Sequence, residues 1–115
     1  MERRKAEKAS RYLKEAQARL GDTLSELSRR NTEMTPPDRL RDMFIKARVT
    51  QLRIQSVELL SIAGSKSSAD SLNDMLETLL VTKEWLHGFE VGAGDDLPTH
   101  EARTAIYDAI RTLCE

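Results

Sequence analysis

The stretch TPPDRLRDMFIKARVTQLRIQSVELLSIAG, Thr35 to Gly64, decides how the chain folds. It reads as one helix with its start and stop written in. Thr35 is a good N-cap, Pro36 suits the first helical position, and Asp38 three residues later makes an acidic variant of a capping box. Ala63-Gly64 supplies the stop, since glycine accepts the left-handed conformation that ends many helices. At about 100° per residue the apolar side chains form two stripes. Leu40, Met43, Phe44, Ala47 and Ile54 lie on one side; Ile45, Val49, Leu52, Leu59 and Ala63 lie roughly opposite. A helix with two opposed apolar faces needs covering on both, by its own chain or by a partner. A strand over Val49 to Val57 is the competing reading, because β-branched residues are frequent there and Leu52 and Ile54 alternate with polar residues. The caps and the long periodic run favour helix.

The segment before it, 2–31, predicts a long first helix. Ala6, Ala9, Leu13, Ala16, Leu20, Leu24 and Leu27 fall on one face at steps of three and four, and Leu13, Leu20, Leu27 and Met34 are seven apart. That spacing is a coiled-coil signal, weakened by the Ala and Thr that fill the alternate seam positions. Gly21 marks a point of lower helix propensity and a candidate kink. The opposite face carries Arg4, Lys8, Arg11, Lys14, Arg19 and Arg29. Acids stand four residues from many of these cations, as in Arg3/Glu7, Glu7/Arg11, Arg11/Glu15 and Glu15/Arg19, the pattern of a solvated, salt-bridged helix face.

After the polar SKSS stretch, Ser67 with Asp70 predicts the start of a third helix, running 68–88. Its core face is Leu72, Met75, Leu76, Leu79 and Leu86; Asp70, Asp74, Glu77 and Glu84 make an acidic face. Val81 and Trp85 stand off the main stripe. Trp85 is expected either to be capped by the following loop, through Phe89 and Val91, or to serve as an anchor for a partner. EVGAGDDLP, Glu90 to Pro98, reads as a flexible connector: its glycines lack the spacing and the lysine of a phosphate loop, and Asp95-Asp96 lack the further oxygens of a calcium loop. Thr99 is expected to cap a last helix, 100–114, with Ala102, Ile106, Ala109, Ile110 and Leu113 inward.

Together these segments predict an all-α fold, a single domain over 1–115, built as an antiparallel bundle of about four helices with a long N-terminal helix and the second helix as its spine. The net charge of −1 hides an asymmetry: residues 1–63 carry 14 Lys/Arg against 9 Asp/Glu, and residues 64–115 carry 4 against 10. Such a split suits a polyanion site, a self-complementary oligomer, or a chain whose halves attract each other. The single cysteine, Cys114, excludes an internal disulfide and fits an intracellular, cytoplasmic setting. No apolar run approaches the ~18 residues of a membrane span, and MERRKAEKAS has no apolar segment behind its charges as a secretory signal requires.

Chemistry is sparsely written. His87, His100 and Cys114 lack the paired spacing of a metal site and any visible orienting group for nucleophilic catalysis, so neither a metal, a cofactor nor an enzymatic activity is expected. The expected function is a non-catalytic helical protein–protein interaction module: an adaptor, assembly factor or small chaperone-like subunit. It would work as a dimer or with a helical partner through apolar faces. The candidate interface residues are Leu13, Leu20, Leu27, Ile45, Val49, Leu52, Val81 and Trp85, together with whichever stripe of the second helix its own chain leaves open. The alternative is a nucleic-acid-binding regulator with Arg3, Arg4, Lys5, Lys8, Arg11 and Lys14 on phosphates. Against it, aromatic interleaving for single strands and a short helix-turn-helix unit are both missing.

Overall fold

The computed structural model describes residues 2–30, 33, 35–63, 69–92 and 99–115, except for the side chains of Arg30, Ala69 and residues 89–92. Among the described residues it contains four helices: α1, Arg3–Arg30; α2, Pro36–Ile62; α3, Ala69–Gly92; and α4, His100–Cys114. Among the described residues there is no strand, and Val49 to Val57 is helical throughout. The helices form an antiparallel four-membered ring. α1 packs along α2 on one side and α4 on the other, α3 packs against α4, and the α2–α3 seam is the sparsest. The long axis of 49 Å reflects helices approaching 30 residues at about 1.5 Å rise each.

The start of α2 follows its sequence signals. Thr35 is extended (φ −64°, ψ 157°), its hydroxyl accepts from the Asp38 amide at 3.3 Å, and Pro36 occupies the first turn. At the far end Ala63 is also extended, and its amide donates to the Leu59 carbonyl at 3.2 Å. Gly64, and the Ser67 start of the third helix, lie outside the described residues, as does Met34 of the seven-residue series. α1 runs unbroken through Gly21.

Two expectations about helix ends are corrected. α3 does not stop at Gly88 but continues to Gly92. Glycine ends a helix by taking positive φ; Gly88 keeps a negative one, and the helix passes through it. Thr99 does not cap α4 with its side chain. Its backbone is already near-helical (φ −100°, ψ −9°), and its buried hydroxyl donates instead to the Leu86 carbonyl at 3.3 Å, tying the start of α4 to α3.

The core is one cluster drawn from all four helices. α1 contributes Ala9, Leu13, Ala16, Leu20 and Leu27; α2 contributes Ile45, Leu52 and Leu59; α3 contributes Met75, Leu79 and Leu86; α4 contributes Ala102, Ala105, Ile106, Ala109, Ile110 and Leu113. Alanines on α1 and α4 let those helices approach closely and leave room for the leucines beside them. Where α1 meets α2, the buried Ser10 hydroxyl donates to the Ser56 carbonyl at 2.8 Å. The α2–α3 seam carries polar groups near its middle. The Gln51 amide donates to Gln55 Oε1 and to Thr82 Oγ1, both at 3.3 Å. Thr82 in turn donates to the Thr78 carbonyl at 2.9 Å, and Arg48 donates to Gln51 Oε1.

Candidate functional site, an uncovered apolar face

Of the two apolar stripes on α2, the bundle uses one. Ile45, Leu52 and Leu59 have no exposure, and Val49 is half-buried against the core. The opposite stripe is left to solvent: Leu40, Met43, Ile54 and Val57 are exposed by 68, 66, 53 and 63 %, with Ala47 and Thr50 exposed between them. These six positions recur at alternating steps of three and four, the spacing of a coiled-coil seam. α2 therefore has a seam on each side, one filled by its own chain and one bare.

The bare stripe continues onto α3. Phe44, four residues from Leu40 and half-buried, stacks on Trp85 with ring centroids 4.7 Å apart and planes inclined by 25°. The Arg48 guanidinium lies over the Phe44 ring, 4.7 Å from its centroid. Val81, one turn before Trp85, is exposed, as is Trp85 itself by 52 %. Residues four apart on a helix are surface neighbours, so Leu40, Phe44, Trp85 and Val81 form a continuous apolar band across the seam. Large exposed side chains in such a band mark interaction surfaces more often than scattered ones do.

This placement reorders the candidates read from sequence. Leu13, Leu20, Leu27, Ile45 and Leu52 are enclosed by the chain's own helices. The Ala/Leu seam of α1 is consumed between α2 and α4, so these residues lie in the core of the bundle. Val49 is largely covered as well. Val81 and Trp85 remain accessible, and Trp85 stacks on Phe44 from α2; the side chains of Phe89 and Val91, expected to cap it, lie outside the described residues. The signal for the missed positions was the stripe Leu40, Met43, Ala47 and Ile54, visible in the periodicity but not separable there from its buried twin.

The basic residues of α1 lie on its outer side. Arg3, Arg4, Lys8, Arg11 and Lys14 are exposed and Lys5 is half-buried. Arg3 is engaged by Glu7 at 3.2 Å, and Glu7 and Glu15 stand exposed among them. A depression of about 290 Å³ between α1 and α4 is lined by Arg19, Asp22, His100 and Glu101. There Arg19 lies 3.1 Å from Glu101 and 3.7 Å from Asp22, and Arg103 lies 3.1 Å from His100 Nδ1. Of these, Arg19–Glu101 joins α1 to α4, and the other two lie within one helix. His87 stands on α3 and His100 and Cys114 at opposite ends of α4. Among the described residues no three of His, Cys, Asp and Glu gather as a metal-ligand set, and no helix is long and apolar enough to cross a membrane.

Comparison with protein-family models, with curated proteins and with solved structures finds no match to this chain.

Proposed function

We propose that the protein is a non-catalytic helical interaction module, an adaptor or assembly factor that binds through the face formed by Leu40, Met43, Ala47, Ile54 and Val57 of α2 with Val81 and Trp85 of α3. One observation carries this reading: a stripe at three-four spacing, apolar except for Thr50, runs from Leu40 to Val57 of α2 and is left uncovered. An isolated exposed leucine would need no explanation, but an ordered row of large apolar side chains beside an exposed tryptophan does. The mechanism is helix packing, in which a partner helix lays its own apolar residues into the ridges and grooves of α2.

The test uses Met43→Glu/Ile54→Glu. Both side chains are exposed, so the domain should keep its helical circular dichroism while losing capture of its partner in an affinity experiment. Lys8→Asp, on the far side, should change neither. Retention of binding by the double variant would reject the face. Loss of binding on Lys8→Asp alone would instead favour a polyanion partner on α1.

A further inference from the structure

The occupant of this face can be argued from charge. Lys46 and Arg53, exposed and seven residues apart on α2, flank the apolar stripe on its side away from α3, with Lys46 also 2.8 Å from Asp42 of the same helix. Glu77 and Glu84, also exposed and seven apart, flank the Val81 row of α3 on its side away from α2; exposed Asp74 adds a further acid in that row, and Lys83 lies 3.8 Å from Glu84. The pair contacts across the seam set the levels: Phe44 lies beside Trp85 and Gln51 beside Thr82. Because α2 and α3 run antiparallel, Lys46 stands at the level of Glu84 and Arg53 at the level of Glu77. Within one chain these cations and anions are on opposite flanks of the face.

A two-fold axis parallel to the helices, lying in front of the seam, changes that. It places α2 of one copy over α3 of the other and leaves every residue at its own level. The cationic flank of α2 then faces the anionic flank of the partner's α3, Lys46 toward Glu84 and Arg53 toward Glu77, and the symmetry makes each contact twice. The alternative two-fold, perpendicular to the helices, lays α2 on α2 and brings the row Arg39, Lys46 and Arg53 against itself. Isologous contact requires a self-complementary surface, and like charges set face to face oppose the second arrangement.

We propose that the partner is a second copy of this chain, docked with α2 of each copy antiparallel on α3 of the other, so that Met43, Ala47 and Thr50 stand level with Trp85 and Val81 and the Lys46–Glu84 and Arg53–Glu77 pairs close the rim. The proposal rests on the apolar-face reading above and specifies its occupant.

Charge reversal tests it. Sedimentation at tens of micromolar should give a dimer for the wild-type chain. Lys46→Glu/Arg53→Glu and Glu77→Lys/Glu84→Lys, each helical by circular dichroism, should each weaken the dimer by roughly tenfold or more, because four rim contacts become repulsive. An equimolar mixture of the two variants should restore it, since the acidic α2 of one then meets the basic α3 of the other at one place and the unchanged basic α2 meets the unchanged acidic α3 at the other. Increasing salt to 1 M should narrow the difference between wild type and variants. A dimer indifferent to both reversals but lost in Ile54→Glu would overturn this arrangement and leave the apolar-face reading standing. A dimer indifferent to Ile54→Glu as well would overturn both. A wild-type chain that stays monomeric would exclude the second copy as occupant, while the affinity experiment with Met43→Glu/Ile54→Glu still decides the face.

Discussion

Leu52 and Lys8 mark the two extremes of what a side chain does in this molecule. Leu52 is fully enclosed in the core cluster; truncating it removes contacts on every side and leaves a cavity. Leu52→Ala should cost about 2–5 kcal/mol, read as a shift of the urea midpoint with unchanged slope. Lys8→Asp, on an exposed surface, should stay within about 0.5 kcal/mol. Gly21 offers the opposite sign. It sits inside an unbroken helix, and a Cβ added there meets nothing within 4 Å. Gly21→Ala should therefore stabilise the chain by about 0.5–1 kcal/mol, through helix propensity and a less flexible unfolded state, and raise the thermal midpoint by a few degrees. At Thr35 the hydroxyl that accepts from the Asp38 amide is the start signal of α2. Its replacement by alanine should cost about 1 kcal/mol.

Between elements, the α2–α3 seam is the most informative place. Its centre is polar, with Gln51, Gln55 and Thr82 bonded together, and its outer edge is the Phe44–Trp85 stack. A double-mutant cycle on Phe44→Leu and Trp85→Leu, measured by urea unfolding, should return a coupling of about 0.5–1.5 kcal/mol; additive effects would mean that the rings pack independently. The same seam shows where sequence reading stops. The existence and order of the helices were legible because their apolar residues repeat at helical spacing and because Thr35, Pro36 and Asp38 carry local start chemistry. Which stripe of α2 turns inward was not legible. Both stripes have the same period, and the choice is made by where α1 and α3 sit around α2. The pairing of Trp85 with Phe44 and of the Thr99 hydroxyl with the Leu86 carbonyl are likewise long-range contacts with no periodic trace. Gly88 misled for a related reason: glycine permits a helix end without imposing one.

For the whole molecule, the division of labour follows from the ring. α1 and α4 each have one apolar side and lie against their neighbours with it, whereas α2 and α3 meet sparsely and keep apolar residues on their outer side. The candidate face thus lies over the least tightly packed seam, supported from behind by α1 and α4, so it is held in place without being covered. That arrangement was half-visible beforehand: two opposed stripes on one helix required two coverings, and the fold supplies one. Substitutions on the two sides should accordingly separate. Ile45→Glu should unfold the domain, while Ile54→Glu should leave its helical content intact and raise its solubility, a contrast that circular dichroism and centrifugation of concentrated samples would read. The placement of Trp85 adds a practical consequence. It is the only tryptophan in the chain, and it stands half in water at the edge of the candidate face, over a phenylalanine ring rather than in the core. The molecule therefore carries an intrinsic optical gauge where occupancy is in question. When the face is covered the indole leaves water, and its emission should move to shorter wavelength and become less accessible to a soluble quencher, without any label or substitution.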